Sequence, residues 1–190
     1  HAGSVTFDVH FVKRLRCSLT AIAMCGFMEG ALIALIPIFT LRAGFSASES
    51  AILLFFFMLG HGALTPVIGA IGDRIGLKQV LLLTYGLGAV SLAAVVCMPP
   101  TMMLTAALLF AGAAAGALYP LGVGLLGLLL KPGELPRGNA LTTFSYGIGS
   151  IAGPFVPVLI MHIAPPKSLF VVSAALYAAA FLVMSRWLAG

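Results

Sequence analysis

Charge is scarce in this sequence. Of 190 residues, 10 are Lys or Arg and 5 are Asp or Glu, so only 8% of the chain is charged, against about 25% in an ordinary soluble domain. So few ionic groups cannot cover the surface of a water-soluble protein of this length. Cysteine is scarce as well. Cys17, Cys25 and Cys97 are scattered without metal-ligand spacing and read as small packing residues rather than a disulfide framework. No Gly-rich loop ending in Lys-Ser/Thr is present, which argues against ATP hydrolysis. A Gly-x-Ser-Gly-like nucleophile and a Glu-x-x-His metal pair are also missing, so an intramembrane protease is disfavoured. The short alternating segments of a β-barrel are absent too. No metal or other cofactor and no enzymatic activity are expected. The net charge of +5 does not point to nucleic acid, because the basic residues sit at the ends of apolar runs rather than on one surface.

Apolar residues make up 61% of the chain, and the mean hydropathy is +1.15. They fall into six segments, at about 18–41, 50–71, 78–98, 101–130, 138–163 and 168–188. Pro99-Pro100 and Pro165-Pro166 end the third and the fifth. Each segment has roughly 20 to 30 residues, enough to cross a hydrocarbon core of about 30 Å. In lipid a helix satisfies every backbone group internally. The sequence therefore predicts an all-α membrane protein with six transmembrane helices over 16–190. Residues 1–15 are expected to be the end of a cytoplasmic loop. The chain opens on His1 rather than Met, and it is expected to be a piece of something longer.

Basic residues orient the spans. With the N-terminus inside, Lys13, Arg14, Arg16, Arg74, Lys78, Lys131, Arg137 and Arg186 fall on the cytoplasmic side, and only Arg42 and Lys167 fall outside. Both termini are expected in the cytoplasm.

The most specific string is Gly69-Ala70-Ile71-Gly72-Asp73-Arg74-Ile75-Gly76-Leu77-Lys78, in a very short turn between the second and third segments. Glycine allows a tight reversal. Asp73 suits exposed helix N–H groups, and Arg74 and Lys78 anchor the turn. The string resembles the loop signature of the major facilitator superfamily at Gly69, Asp73, Arg74, Gly76 and Lys78. Leu77 stands where a basic residue is usual. Two further strings, Gly116-Ala117-Leu118-Tyr119-Pro120-Leu121-Gly122 and Gly133-Glu134-Leu135-Pro136-Arg137-Gly138-Asn139-Ala140, resemble the C-terminal half of the YcaD-like bacterial branch. The resemblance implies one half of a major facilitator fold, built as a 3+3 inverted repeat. The two triplets share no obvious sequence pattern, so the repeat rests on the resemblance alone. It also implies that the signature turn gates the conformational cycle, and that the first and fourth helices line a central cavity.

Small residues recur four apart at Gly112 and Gly116, and at Gly149 and Gly153 with Pro154 following. This spacing lets helices approach closely. Although Gly149–Pro154 partly resembles a Gly-Pro motif of facilitator antiporters, close packing is the reading preferred here.

Glu29 lies about 17 Å from the start of the first segment, and His61 about 15 Å from the cytoplasmic end of the second, at 1.5 Å per residue. An ionisable residue at the membrane centre costs on the order of 3 kcal/mol and is a functional candidate. A Glu–His pair can relay a proton or hold a cationic or polar substrate. Alternatively, each acts as polar glue at a tight crossing: Gly26 and Gly30 flank Glu29, and Gly60 and Gly62 flank His61. The resemblance places Glu29 and Tyr119 on cavity helices. Tyr146, Asn139 and His162 carry weaker signals.

The leading expectation is a secondary active transporter of a small molecule, working by alternating access and driven by protons, in a bacterial inner membrane. Its partners are the lipid bilayer, the substrate, and either a missing N-terminal six-helix half or a second copy of the chain. A non-transporting scaffold or an oligomeric channel is the alternative.

Overall fold

The computed structural model describes residues 9–97, 102–163, 165 and 167–189. Residues 1–8 of the expected loop, Met98, Pro99, Pro100, Thr101 and Pro166 at the expected segment ends, and the His162 side chain lie outside the described residues. The elements are α1 (Val9–Arg14), α2 (Arg16–Arg42), α3 (Ala47–Leu59), α4 (Thr65–Ile75), α5 (Leu77–Cys97), α6 (Met102–Leu129), α7 (Leu135–Ile163) and α8 (Ser168–Ala189). A π-helical turn, Gly60–Leu64, joins α3 and α4 into one rod, and a 3-10 turn, Pro132–Glu134, precedes α7. No strand occurs among the described residues. By length and composition α2, the α3–α4 rod, α5, α6 and α8 can each cross a membrane. With 29 residues, α7 is about 43 Å long at 1.5 Å per residue and runs parallel to α2. The chain is thus an all-α integral membrane protein of six long helices.

Local chemistry moves several helix ends beyond the apolar runs. Ser46 caps α3 through a capping box with Glu49: the Ser46 Oγ accepts from the Glu49 N–H, and the Ser46 N–H donates to the Glu49 carboxylate. This starts α3 at Ala47 rather than near residue 50. At the other end of the rod, α4 continues past Ile71 to Ile75, because the first conformation unsuited to a helix is at Gly76 (φ +101). Pro136 falls in the first turn of α7, where its missing N–H costs nothing, so that helix begins at Leu135 rather than near 138.

Two parallel helix pairs carry the bundle. α2 packs along α7, and the α3–α4 rod packs along α6. In both pairs the backbones touch at glycines. A Cβ at Gly149 or Gly153 would run into the Ala23 or Phe27 carbonyl, and one at Gly26 or Gly30 into the carbonyls of Tyr146 or Ser150. In the second pair, Gly60 meets Leu109 and Ala113, while Gly112 and Gly116 meet the backbone of Phe57 and His61. These contacts fall at Gly112, Gly116, Gly149 and Gly153, where the sequence has small residues four apart. A third pair, α5 and α8, meets at Gly88, which receives the ring of Tyr177; Tyr85 lies edge-on to that ring at 6.1 Å.

This pairing has the symmetry of an inverted repeat. Exchanging α2, the rod and α5 for α6, α7 and α8 turns the α2–α7 contact into the α6–rod contact and leaves α5–α8 unchanged. The equivalence exposes a repeat that was not apparent in the sequence: Gly26-x-x-x-Gly30-Ala31-Leu32 in α2 matches Gly112-x-x-x-Gly116-Ala117-Leu118 in α6. The other equivalent helices carry Gly60 then Pro66, and Gly149 then Pro154. The first pair is one residue further apart, and the π-helical turn absorbs that additional residue.

All the helix ends that carry Lys13, Arg14, Arg16, Arg74, Lys78, Lys131, Arg137 and Arg186 gather at one end of the bundle, the basic end. Here α1 is pinned by burial of Phe11 beside Leu15, Leu19 and Leu126, by Arg14 and Arg137 over the Phe11 ring, and by a 2.6 Å ion pair from Arg14 to Glu134. Hydrogen bonds from Arg14, and then from the Lys131 N–H, hold the Glu134 carboxyl below the usual carboxylate range.

Two outcomes follow for this packing. Gly149→Ala, which drives a methyl into the Ala23 carbonyl, should destabilise the protein by about 1–3 kcal/mol, whereas Gly147→Ala, with open space around it, should not. Thermal unfolding in detergent compares them, and equal effects would refute backbone contact. Because the Glu134 value is lowered by folding, its contribution is present at neutral pH and lost as pH falls through that lowered value. A spin label at Val9 should therefore gain mobility on acidification, and Glu134→Gln should show the mobile spectrum already at neutral pH.

Candidate functional site

Thirteen residues separate Glu29 from each end of α2, which places it about 20 Å from either end. The glycine contacts bring α7 so close that the Tyr146 hydroxyl donates to Glu29 Oε2 at 2.6 Å. The Tyr119 ring of α6 stands edge-on to Tyr146, with centroids 5.7 Å apart and planes at 88°. α6 reaches this position because Gly122 admits Ile22 and the Ser18 carbonyl of α2. Glu29 and Tyr146 are half-buried, while Tyr119 and Pro120 are exposed.

No Lys or Arg pairs with Glu29 among the described residues; the cations are at the helix ends. Among the described residues the carboxyl therefore has a phenol as its polar partner and no compensating charge, at the depth where an uncompensated charge is most costly. Such a group can take up a proton or a cationic ligand, and the adjoining aromatic rings favour cations over their faces.

Of the residues expected here, Glu29 and Tyr119 are brought together. Tyr146, which joins them, ranked below both in the sequence. Its signal is its place one turn before Gly149 on the packed face of α7, but that signal has meaning only once α7 is known to lie along α2. His61 stands at the centre of the α3–α4 rod, inside the π-helical turn. It faces α6 rather than Glu29. Its carbonyl accepts from Thr65 Oγ1 at 2.5 Å, its ring lies 6.5 Å from that of Phe57, and its buried Nε2 has no hydrogen-bond partner among the described residues. Asn139 is exposed in the first turns of α7, remote from the cluster.

The signature string contains less loop than its length suggests. Gly69, Gly72, Asp73 and Arg74 belong to the last turns of α4, and Lys78 to the first turn of α5; Gly76 alone makes the reversal. Gly72 is covered by Leu77 and Leu121. Asp73 is exposed and has no hydrogen bond or ion pair among the described residues, so the expected bond to a helix N-terminus is not made. Gly76, at φ +101 and ψ 135, holds a conformation that L side chains rarely adopt. Gly76→Ala should cost about 1–3 kcal/mol in thermal unfolding, and Gly69→Ala, in open space, nearly nothing; a tolerated Gly76→Ala would mean that the turn relaxes.

Comparison with known proteins agrees with this architecture. Residues 18–190 match the family model of the Major Facilitator Superfamily. The uncharacterized MFS-type transporter YfkF of Bacillus subtilis (strain 168) is 31% identical over 164 residues, which cover 86% of this chain. The aligned part spans about 40% of that relative's length. From six long helices paired as an inverted repeat, and a family match reaching from Ser18 to the last residue, it follows that the chain belongs to the major facilitator superfamily.

Proposed function

We propose that this chain is one six-helix half of a secondary transporter that moves a small molecule by alternating access, with proton movement coupled at Glu29. The observation that carries the reading is the hydrogen bond between Tyr146 and a mid-membrane carboxyl that has no counter-cation among the described residues. Purely structural glue needs no ionisable group there, and a coupling site does. In the proposed cycle Glu29 exchanges a proton or a cationic substrate while Tyr146 holds the carboxyl in place. Tyr119 lines the approach. His61 is a second candidate for proton movement along the rod, separate from the cluster.

The cavity would be completed by another six-helix half, either an N-terminal half of the same protein or a second copy. The long exposed apolar faces of the α3–α4 rod and α7, which include Phe55 and Phe144, support this reading, because substrate sites of such carriers lie at the interface between repeats. The eight basic residues at one end against two at the other support a cytoplasmic location for both termini, in a bacterial inner membrane. The turn at Gly76, with Asp73, Arg74 and Lys78 exposed beside it, is proposed to open and close the basic end. A non-transporting scaffold or oligomeric channel is the competing reading, and it assigns Glu29 no titrating role.

The test uses the whole native protein in proteoliposomes on a solid-supported membrane, screened with a panel of small solutes under an imposed proton gradient. Solute-induced currents are expected from the wild type and should vanish with Glu29→Gln. Tyr146→Phe, which removes one hydrogen bond to a charged group, should raise the half-saturating solute concentration about tenfold or more. Unchanged currents in Glu29→Gln would remove this residue from coupling. Binding of solutes without any current in the wild type would favour the scaffold.

A further inference from the structure

A second concentration of function-bearing groups lies at the basic end, away from Glu29. Lys13 and Arg14 at the end of α1, Arg16 and Cys17 at the start of α2, Lys78 on α5, Leu125 and Leu129 on α6, and Trp187 and Leu188 on α8 line a cavity of about 240 Å³. Four of these lining residues are cations and none is an acid. Arg14 is engaged by Glu134, and Arg16 stacks over the Trp187 ring at 4.7 Å. Lys13 and Lys78 are exposed and make no hydrogen bond or ion pair with any described residue.

Bringing like charges together from α1, α2 and α5 is unfavourable unless an anion bridges them. The donor set fits a phosphate, whose several oxygens can be shared among separate ammonium and guanidinium groups. The remainder of the lining is apolar: Leu125 is buried, and Leu129, Leu188 and the Trp187 ring are half-buried. All of it sits where the membrane helices end, the level at which tryptophan and basic side chains meet lipid headgroups. A soluble phosphate has no use for that apolar wall, whereas a phospholipid does.

We propose that this cavity binds the phosphate of an anionic phospholipid headgroup, bridging α1, α2, α5 and α8 at the basic end. Lys13 and Lys78 are its free cations. Arg16 is held in place by Trp187, and Arg14 by Glu134.

Trp187 is the one tryptophan of these 190 residues, and with any tryptophan elsewhere in the whole native protein replaced by Phe it reports directly. The whole native protein is reconstituted in nanodiscs of phosphatidylcholine containing increasing fractions of phosphatidylglycerol, with bromine on the acyl chains of one lipid or the other. Brominated phosphatidylglycerol should quench Trp187 at a much lower mole fraction than brominated phosphatidylcholine. The double substitution Lys13→Gln, Lys78→Gln should raise the half-quenching fraction on the order of 25-fold, about fivefold for each lysine removed near an anionic surface. Lys13→Arg with Lys78→Arg should keep the preference, which separates lost charge from lost fold. Equal quenching by the two wild-type lipids, or an undiminished preference in the Gln variant, overturns the proposal. Inorganic phosphate that displaces phosphatidylglycerol and itself shifts Trp187 emission in phosphatidylcholine discs would assign the cavity to a soluble phosphate and overturn the lipid assignment.

Discussion

Backbone-to-backbone contact at glycines is the constraint on which this structure depends. In lipid, apolar side chains gain little by leaving their surroundings for another helix, so association relies on close packing. Gly26, Gly30, Gly149 and Gly153 allow it between α2 and α7, and Gly60, Gly112 and Gly116 between the rod and α6. Every other placement follows from these two seams. α6 is drawn against both α2 and the rod, and its run from Ala111 to Leu118 is wholly buried. α5 and α8 then close the far side through Tyr85, Tyr177 and Gly88.

The same seam creates the candidate site. A tyrosine on one membrane helix reaches a carboxyl on another at 2.6 Å only if the helices are nearly in backbone contact beside it. Gly26 abuts the carbonyl of Tyr146 itself, so the residue that permits the approach and the residue that bonds Glu29 face one another. The polar pair is thus tied to the packing: loosening the seam removes the hydrogen bond, and an unpaired carboxyl at that depth is costly. Polar function and helix association are here one arrangement.

Charge is divided just as sharply. Cations are confined to the helix ends, leaving the membrane interior to Glu29 and His61. Among the described residues, Arg14 with Glu134 is the one ion pair. Arg16 stacks on Trp187 and Arg137 on Phe11, while Lys13 and Lys78 make no hydrogen bond or ion pair with a described residue. Such an end is suited to meet anions from outside the protein, and a membrane surface supplies them.

The sequence by itself determined that the chain is helical and membrane-embedded, how many long helices it has, and which ionisable residues fall at mid-membrane, because hydropathy and chain length act locally. It also marked the signature turn and the small-residue stripes. Helix ends were displaced where capping or backbone conformation outweighed hydropathy, as at Ser46, Gly76 and Pro136. The tertiary structure alone decided which helices are neighbours. That Tyr146, 117 residues from Glu29, is its partner, while His61 at a similar depth is not, follows from parallel pairing of the first helix with the fifth and of the second with the fourth. The inverted repeat was likewise hidden until the pairing aligned Gly26 with Gly112, since few identities survive outside the contact glycines. Long-range pairing is a property of surfaces fitted together in three dimensions, and no local pattern of residues records it.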